Sequence, residues 1–210
     1  MASEVDICNT ALAQLGDEAT VASLNPPEGS AQAEHCARFY PIARDTLLQS
    51  YPWNFASKRA TLAQLGDAPV GWTYSYARPI DALDILAVQR PETPDNFEQQ
   101  EYVCEVNSDG QPVIYCNVED ASVRYLARVS DTSRFPPLFV TALSWHLAAM
   151  LAGPIIKGDA GAAEARRCAQ MAEAYLGRAR ASDANQRHVE MRPRPDWIGG
   201  RGPASNTWRR

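Results

Sequence analysis

Three features of the 210-residue chain predict an α+β protein: apolar residues at helical spacing near both ends, a middle third of short runs broken by Gly, Pro and Asp, and an aromatic corner where the second helical stretch stops. The predicted architecture is an antiparallel bundle of about four helices (residues 1–56 and 133–187) carrying an inserted small antiparallel sheet or partly closed barrel (residues 57–132). An extended C-terminal arm (residues 188–210) follows. The apolar content of 45% and the aromatic content of 9% suit one folded domain with a sizeable core.

The first helix is expected over Glu4–Leu15, with Ser3 as N-cap, Gly16 just past the end, and Val5, Cys8, Leu12 and Leu15 as its buried stripe. Asn25-Pro26-Pro27-Glu28-Gly29 breaks the chain. A second helix starts at Ser30 and places Ala33, Cys36, Tyr40, Ala43, Leu47 and Tyr51 on one face. Pro41 should kink or split it, because an interior proline removes a hydrogen bond at a cost of ~3 kcal/mol. The stop at Tyr51 follows from Pro52, since a residue before proline is pushed out of the α region. Tyr51, Pro52, Trp53 and Phe55 then form a structural corner with large rings packed back on the helix.

About six short strands are expected next, within Arg59–Ala63, Trp72–Tyr76, Asp84–Val88, Glu101–Val106, Pro112–Val118 and Val123–Val129. The Asp109-Gly110 step marks a hairpin. Pro136-Pro137 opens Leu138–Leu151, apolar almost all round and therefore the central buried helix. Extended to Ile156 it approaches membrane-spanning length, but Ser144, His146, the Gly153-Pro154 break and the lack of basic flanks argue against spanning. Asp159 caps the last helix, which shows Ala165, Cys168, Ala172, Tyr175 and Ala179 on one face and ends near Asn185.

The net charge of −5 is unevenly spread: residues 1–187 carry −8 and residues 188–210 carry +3. An acidic body argues against broad binding to phosphate backbones, which needs clustered Lys and Arg. The arm has five Arg, three Pro, three Gly and two Trp with no period, so it cannot build its own core. Tryptophan and arginine are nevertheless enriched in binding hot spots, which makes it a candidate partner-binding segment. The five cysteines are odd in number and widely spaced, and are expected as reduced, mostly buried thiols in a cytosol-made protein. The acidic start Met1-Ala2-Ser3-Glu4 does not read as a signal peptide.

No phosphate loop, dinucleotide fingerprint, H-E-x-x-H or nucleophile elbow occurs, so neither a cofactor nor a metal is expected. His35, His146 and His188 do not cluster. A small hydrolase built on Asp81, Asp84 or His146 stands as the enzymatic alternative, and weak DNA binding by the arm as a further one.

The ordered motifs are Asn9-x-Ala11-Leu12-x-x-Leu15-Gly16, Arg44-Asp45-x-Leu47-Leu48 running into Pro52-Trp53-Asn54-Phe55-Ala56, Trp72-x-Tyr74-x-Tyr76-x-x-Pro79-x-Asp81, and Ala142-Leu143-x-x-x-Leu147-Ala148. As a set over residues 4–187 they resemble the tail tubular protein A, or head-to-tail adaptor, family of short-tailed bacteriophages. The resemblance implies a non-enzymatic virion protein of the neck, assembled in the host cytoplasm as a ring of twelve copies under the portal protein. It further implies a channel that double-stranded DNA crosses without specific binding, a platform for the next tail protein, and no membrane partner. It also implies a C-terminal segment that climbs onto the portal. That role falls here on Trp197 and Trp208 with Ile198 as anchors and Arg201, Arg209 and Arg210 as polar contacts, an assignment drawn from composition. A related adaptor of a long-tailed phage or gene transfer agent is the alternative within the same class.

Overall fold

A computed structural model describes residues 2–66, 68–91 and 100–186. The fold is α+β, with four helices and two three-stranded antiparallel sheets. Helix α1 (Glu4–Gln14) starts in a capping box, in which the Ser3 hydroxyl accepts from the Asp6 amide and the Asp6 carboxylate accepts from the Ser3 amide. Gly16 then turns the chain at φ +77°, a left-handed value that favours glycine. The buried stripe is Ile7, Cys8, Ala11 and Leu12. Val5 and Leu15 are only half-buried, so the face is rotated from the expected one, toward the side that meets the central helix.

Helix α2 (Ala31–Gln49) is capped by the Ser30 hydroxyl, which accepts from the Ala33 amide. It buries Ala33, Cys36, Tyr40, Ala43 and Leu47 as expected, with Arg44 and Leu48 added. Pro41 does not split the helix, and it lies on the exposed face where water can reach the freed carbonyl. The helix ends at Gln49, before Pro52 exerts its restriction on Tyr51, and Tyr51 is half-buried.

Helix α3 (Pro137–Ile156) is the centre of the bundle and packs against α1, α2 and the last helix, α4 (Gly158–Ala184). Gly153-Pro154 is not a break: α3 runs through it, and the turn comes at Lys157 (φ +61°) and Gly158 (φ +59°). Ser144 accepts a hydrogen bond from the Gln14 side chain at 3.0 Å, so its hydroxyl helps fasten α1 to α3. By length and composition α3 could cross a membrane, while in this fold about half of it is buried against its neighbours. Lys157, rather than Asp159, holds the N-cap position of α4, and no side chain caps it. Asp159 lies in the first turn, where a carboxylate still suits the helix dipole. Gly161 allows the α3–α4 hairpin to close, because a Cβ there would lie 3.0 Å from the Ala152 carbonyl oxygen.

Between α2 and α3 lie β1 (Ser57–Thr61), β2 (Tyr74–Ala77), β3 (Ala82–Gln89), β4 (Tyr102–Val106), β5 (Pro112–Cys116) and β6 (Ser122–Ala127). They pair as β1-β6-β3 and β2-β5-β4. Strand β2 starts at Tyr74, two residues later than expected, and β1 starts at Ser57, directly after a 3₁₀ turn over Asn54–Ala56. The β4–β5 hairpin closes through Asn107 and Gln111, with Gly110 at φ +78° and the Asn107 side chain accepting from the Asp109 and Gln111 amides. The sheets are bridged at both edges. On one side the Leu65 amide donates to Ser75 and the Ala77 amide to Ala63, and on the other Gln100 donates to the Val88 carbonyl. Leu62, Tyr76, Ile85, Val88, Ile114, Val123 and Tyr125 fill the space between them, so the six strands make a partly closed barrel with its own core.

The two units meet through the outer face of the β1-β6-β3 sheet. Leu126 and Val129 belong to the bundle core, with Leu83 packed against it. Asp45 of α2 accepts from Arg44 at 2.9 Å and from Arg128 at 2.9 Å, which pins the end of β6 to the bundle.

Candidate functional site

The expected corner is the junction of the molecule. Trp53 is fully buried, and its indole N–H donates to the Leu47 carbonyl at 3.0 Å, satisfying one of the orphan acceptors at the end of α2. Its ring meets Tyr51 edge-on at 4.9 Å and Phe139 edge-on at 5.2 Å. Phe55 and Phe135 extend the cluster, with Phe55 5.1 Å and Phe135 5.0 Å from Phe139. Such offset and edge geometries add to the burial of ring area. The Arg134 guanidinium donates to the Phe55 carbonyl at 2.8 Å and closes the back of the corner.

Asn54 completes it. Its amide donates to both Asp183 carboxylate oxygens, at 3.2 and 3.0 Å, and its side-chain NH₂ donates to the Asp183 backbone carbonyl and carboxylate, at 2.8 and 2.9 Å. Asp183 is 2% exposed. This clamp between the end of α2 and the end of α4 was not foreseen. Its signal was in the sequence: Asp183 occupies the position four residues after Ala179 in the apolar stripe of α4, where a carboxylate needs a partner. Beside the clamp an apolar cleft of about 220 Å³ opens between Trp53, the start of α3 and the last turns of α4.

The expected arm residues Trp197, Ile198, Arg201, Trp208, Arg209 and Arg210 lie outside the described residues, as does His188. The residues of the enzymatic alternative are engaged separately. Asp81 accepts from the Lys58 ammonium at 2.7 Å and from the Tyr125 hydroxyl at 3.0 Å, and these bonds, Lys58 first, hold its carboxyl below the usual carboxylate range. Asp84 is exposed and its carboxylate accepts from the Ile85 amide. His146 sits half-buried in α3, where burial lowers its imidazole pKa. Among the described residues no hydrogen bond joins these three, and no group of three His, Cys, Asp or Glu side chains could hold a metal ion.

The cysteines at helical positions, Cys8, Cys36 and Cys168, are buried, as is Cys116 in β5, whereas Cys104 is exposed; all five are free thiols. Cys8 of α1 and Cys36 of α2 are both buried, and the neighbouring Cys36 thiol together with burial pushes the Cys8 pKa above that of an ordinary thiol. Further residues of the sequence motifs act as fasteners. Asn9 receives the Val21 amide and donates to the Val21 carbonyl, holding the loop after α1. The Tyr76 hydroxyl donates to the Val118 carbonyl at 2.7 Å inside the barrel.

The chain matches no protein-family model, and a search of curated proteins finds no match.

Proposed function

We propose that this chain is a head-to-tail adaptor of a short-tailed bacteriophage: a structural subunit that rings the DNA exit below the portal and offers a platform to the next tail component. One observation carries the reading. Six residues of the motif set, Asn9, Asp45, Trp53, Asn54, Tyr76 and Asp81, fasten loop to helix, helix to barrel, α2 to α4 and strand to strand. Motif residues engaged at the joints of the fold support a structural role over a catalytic one. The barrel between α2 and α3 favours the short-tailed form over the smaller adaptors of long-tailed phages and gene transfer agents, which leave little room for such an insertion.

In this reading copies of the subunit form a ring, probed first at twelve, and the acidic body suits a conduit because negative walls repel DNA phosphates. The arm reaches the portal through Trp197, Ile198 and Trp208, with Arg201, Arg209 and Arg210 as polar contacts. The test is the particle mass and shape of the purified protein, alone and mixed with its portal, by light scattering and negative-stain microscopy. A stacked ring on the portal supports the adaptor reading. A protein that stays monomeric and ignores the portal overturns it.

A further inference from the structure

The cleft beside the Asn54–Asp183 clamp has a size, a chemistry and a position that together name an occupant. Trp53 and Phe139 line it with Leu138 and Ala179, and its exposed lining is mostly apolar. Its volume of about 220 Å³ lies below the roughly 300–1,000 Å³ of sites for small-molecule ligands. An apolar cavity of about 150 Å³ accepts one benzene ring, so this cleft matches a single large side chain. Gln186, the last described residue, is itself part of the wall, so the chain leaves the fold from the lip of the cleft.

Twenty-four residues follow Gln186, and their two largest apolar side chains are Trp197 and Trp208. Trp197 is eleven residues on, a tether of at most about 40 Å when extended, which is ample to turn and come back. Trp208 is twice as far along the chain, and effective concentration falls roughly as the −3/2 power of tether length, a disadvantage of about threefold. We propose that the cleft is an intramolecular seat for the chain's own C-terminal segment, with Trp197 as the inserted side chain. Seated, the arm is held against α3 and α4 and withheld from any other surface. The proposal stands on the cleft and the tether and is independent of the adaptor reading.

The test labels the full chain with 5-fluorotryptophan and reads ¹⁹F resonances in H₂O and D₂O. Trp197→Phe and Trp208→Phe identify the two arm signals. The Trp197 signal is expected to show little solvent isotope shift at every protein concentration, and to acquire the full shift in Leu138→Arg, which blocks the cleft. Pro137→Arg, at an exposed position on the same wall, repeats the block should Leu138→Arg fail to fold. A Trp197 signal that is solvent-exposed in the unmodified chain overturns the proposal. So does protection that survives both blocks, that disappears on dilution and thus comes from a second copy, or that belongs to Trp208 instead.

Discussion

Asp183 is a carboxylate buried near the C-terminal end of its own helix, where the helix dipole disfavours negative charge. Among the hydrogen bonds described for it, its carboxylate accepts from Asn54 alone. Removing one partner of a buried charged group leaves that group undersatisfied, which costs more than the bond contributed. Asn54→Ala deletes the side-chain donors and keeps the backbone one, so a loss of about 2 kcal/mol is expected. It should appear as a lower urea midpoint with an unchanged slope. A midpoint within error of the parent would mean that the clamp contributes nothing. Asp81 gives a milder and pH-dependent case. Its folded pKa is depressed below the ordinary 3.8 by Lys58 and Tyr125, so its contribution is present above that value and disappears as pH falls through the folded pKa. The Lys58 and Asp81 side chains are 42% and 39% exposed, so Asp81→Asn should cost only about 0.5 kcal/mol at pH 7. The difference should close near pH 2, and a difference that persists there would assign the effect to packing.

At the scale of elements, α3 and α2 each carry a feature that works against them. His146 titrates below its ordinary value of 6.5 because burial disfavours the imidazolium. Its stabilising neutral form is thus fully available above pH 6.5, and stability falls as pH drops from there through the folded pKa. His146→Gln should flatten that limb of the urea-stability profile while leaving the acid limb set by carboxylates. Pro41 interrupts the hydrogen-bond ladder of α2 without interrupting the helix. Pro41→Ala should restore the bond to the Ala37 carbonyl at an exposed site and raise stability by about 1–3 kcal/mol, a shift visible in thermal melts. These elements were legible in the sequence because each imposes a period. The α2 face was readable residue by residue, and the β4–β5 hairpin followed from its Asp-Gly step. On α1, Cys8 and Leu12 are buried as expected, while Ile7 and Ala11 take the place of Val5 and Leu15 because they offer a second apolar stripe and only packing on α3 chooses between the two. Gly153-Pro154 does not end α3, because a proline in the last turn removes one bond that the helix end tolerates. The division of six strands into two bridged sheets depends on pairings far apart in the chain, such as β1 with β6, and no local pattern encodes them. The Asn54–Asp183 clamp was hidden for the same reason, since its halves are 129 residues apart.

Among the described residues the molecule has two cores and one joint, and neither core draws on a residue beyond Ala179. The last fastening contact of the described fold is Asp183 with Asn54, four residues before Arg187. A chain ending at Gln186 should therefore fold, losing only what the arm itself contributes. It also loses a segment of net charge +4, leaving a body that is more uniformly acidic. These two consequences separate folding from assembly. If the arm is the portal-binding element, the shortened protein should show the parent's far-ultraviolet spectrum and a cooperative melt, yet fail to join portal particles in light scattering and negative stain. Restoring residues 187–210 with Trp197 and Trp208 both changed to Ala should fold equally well and still dock poorly, because in hot-spot interfaces buried aromatic anchors carry more of the affinity than rim arginines. A truncated chain that stacks on the portal normally would move the binding surface from the arm to the bundle or the barrel.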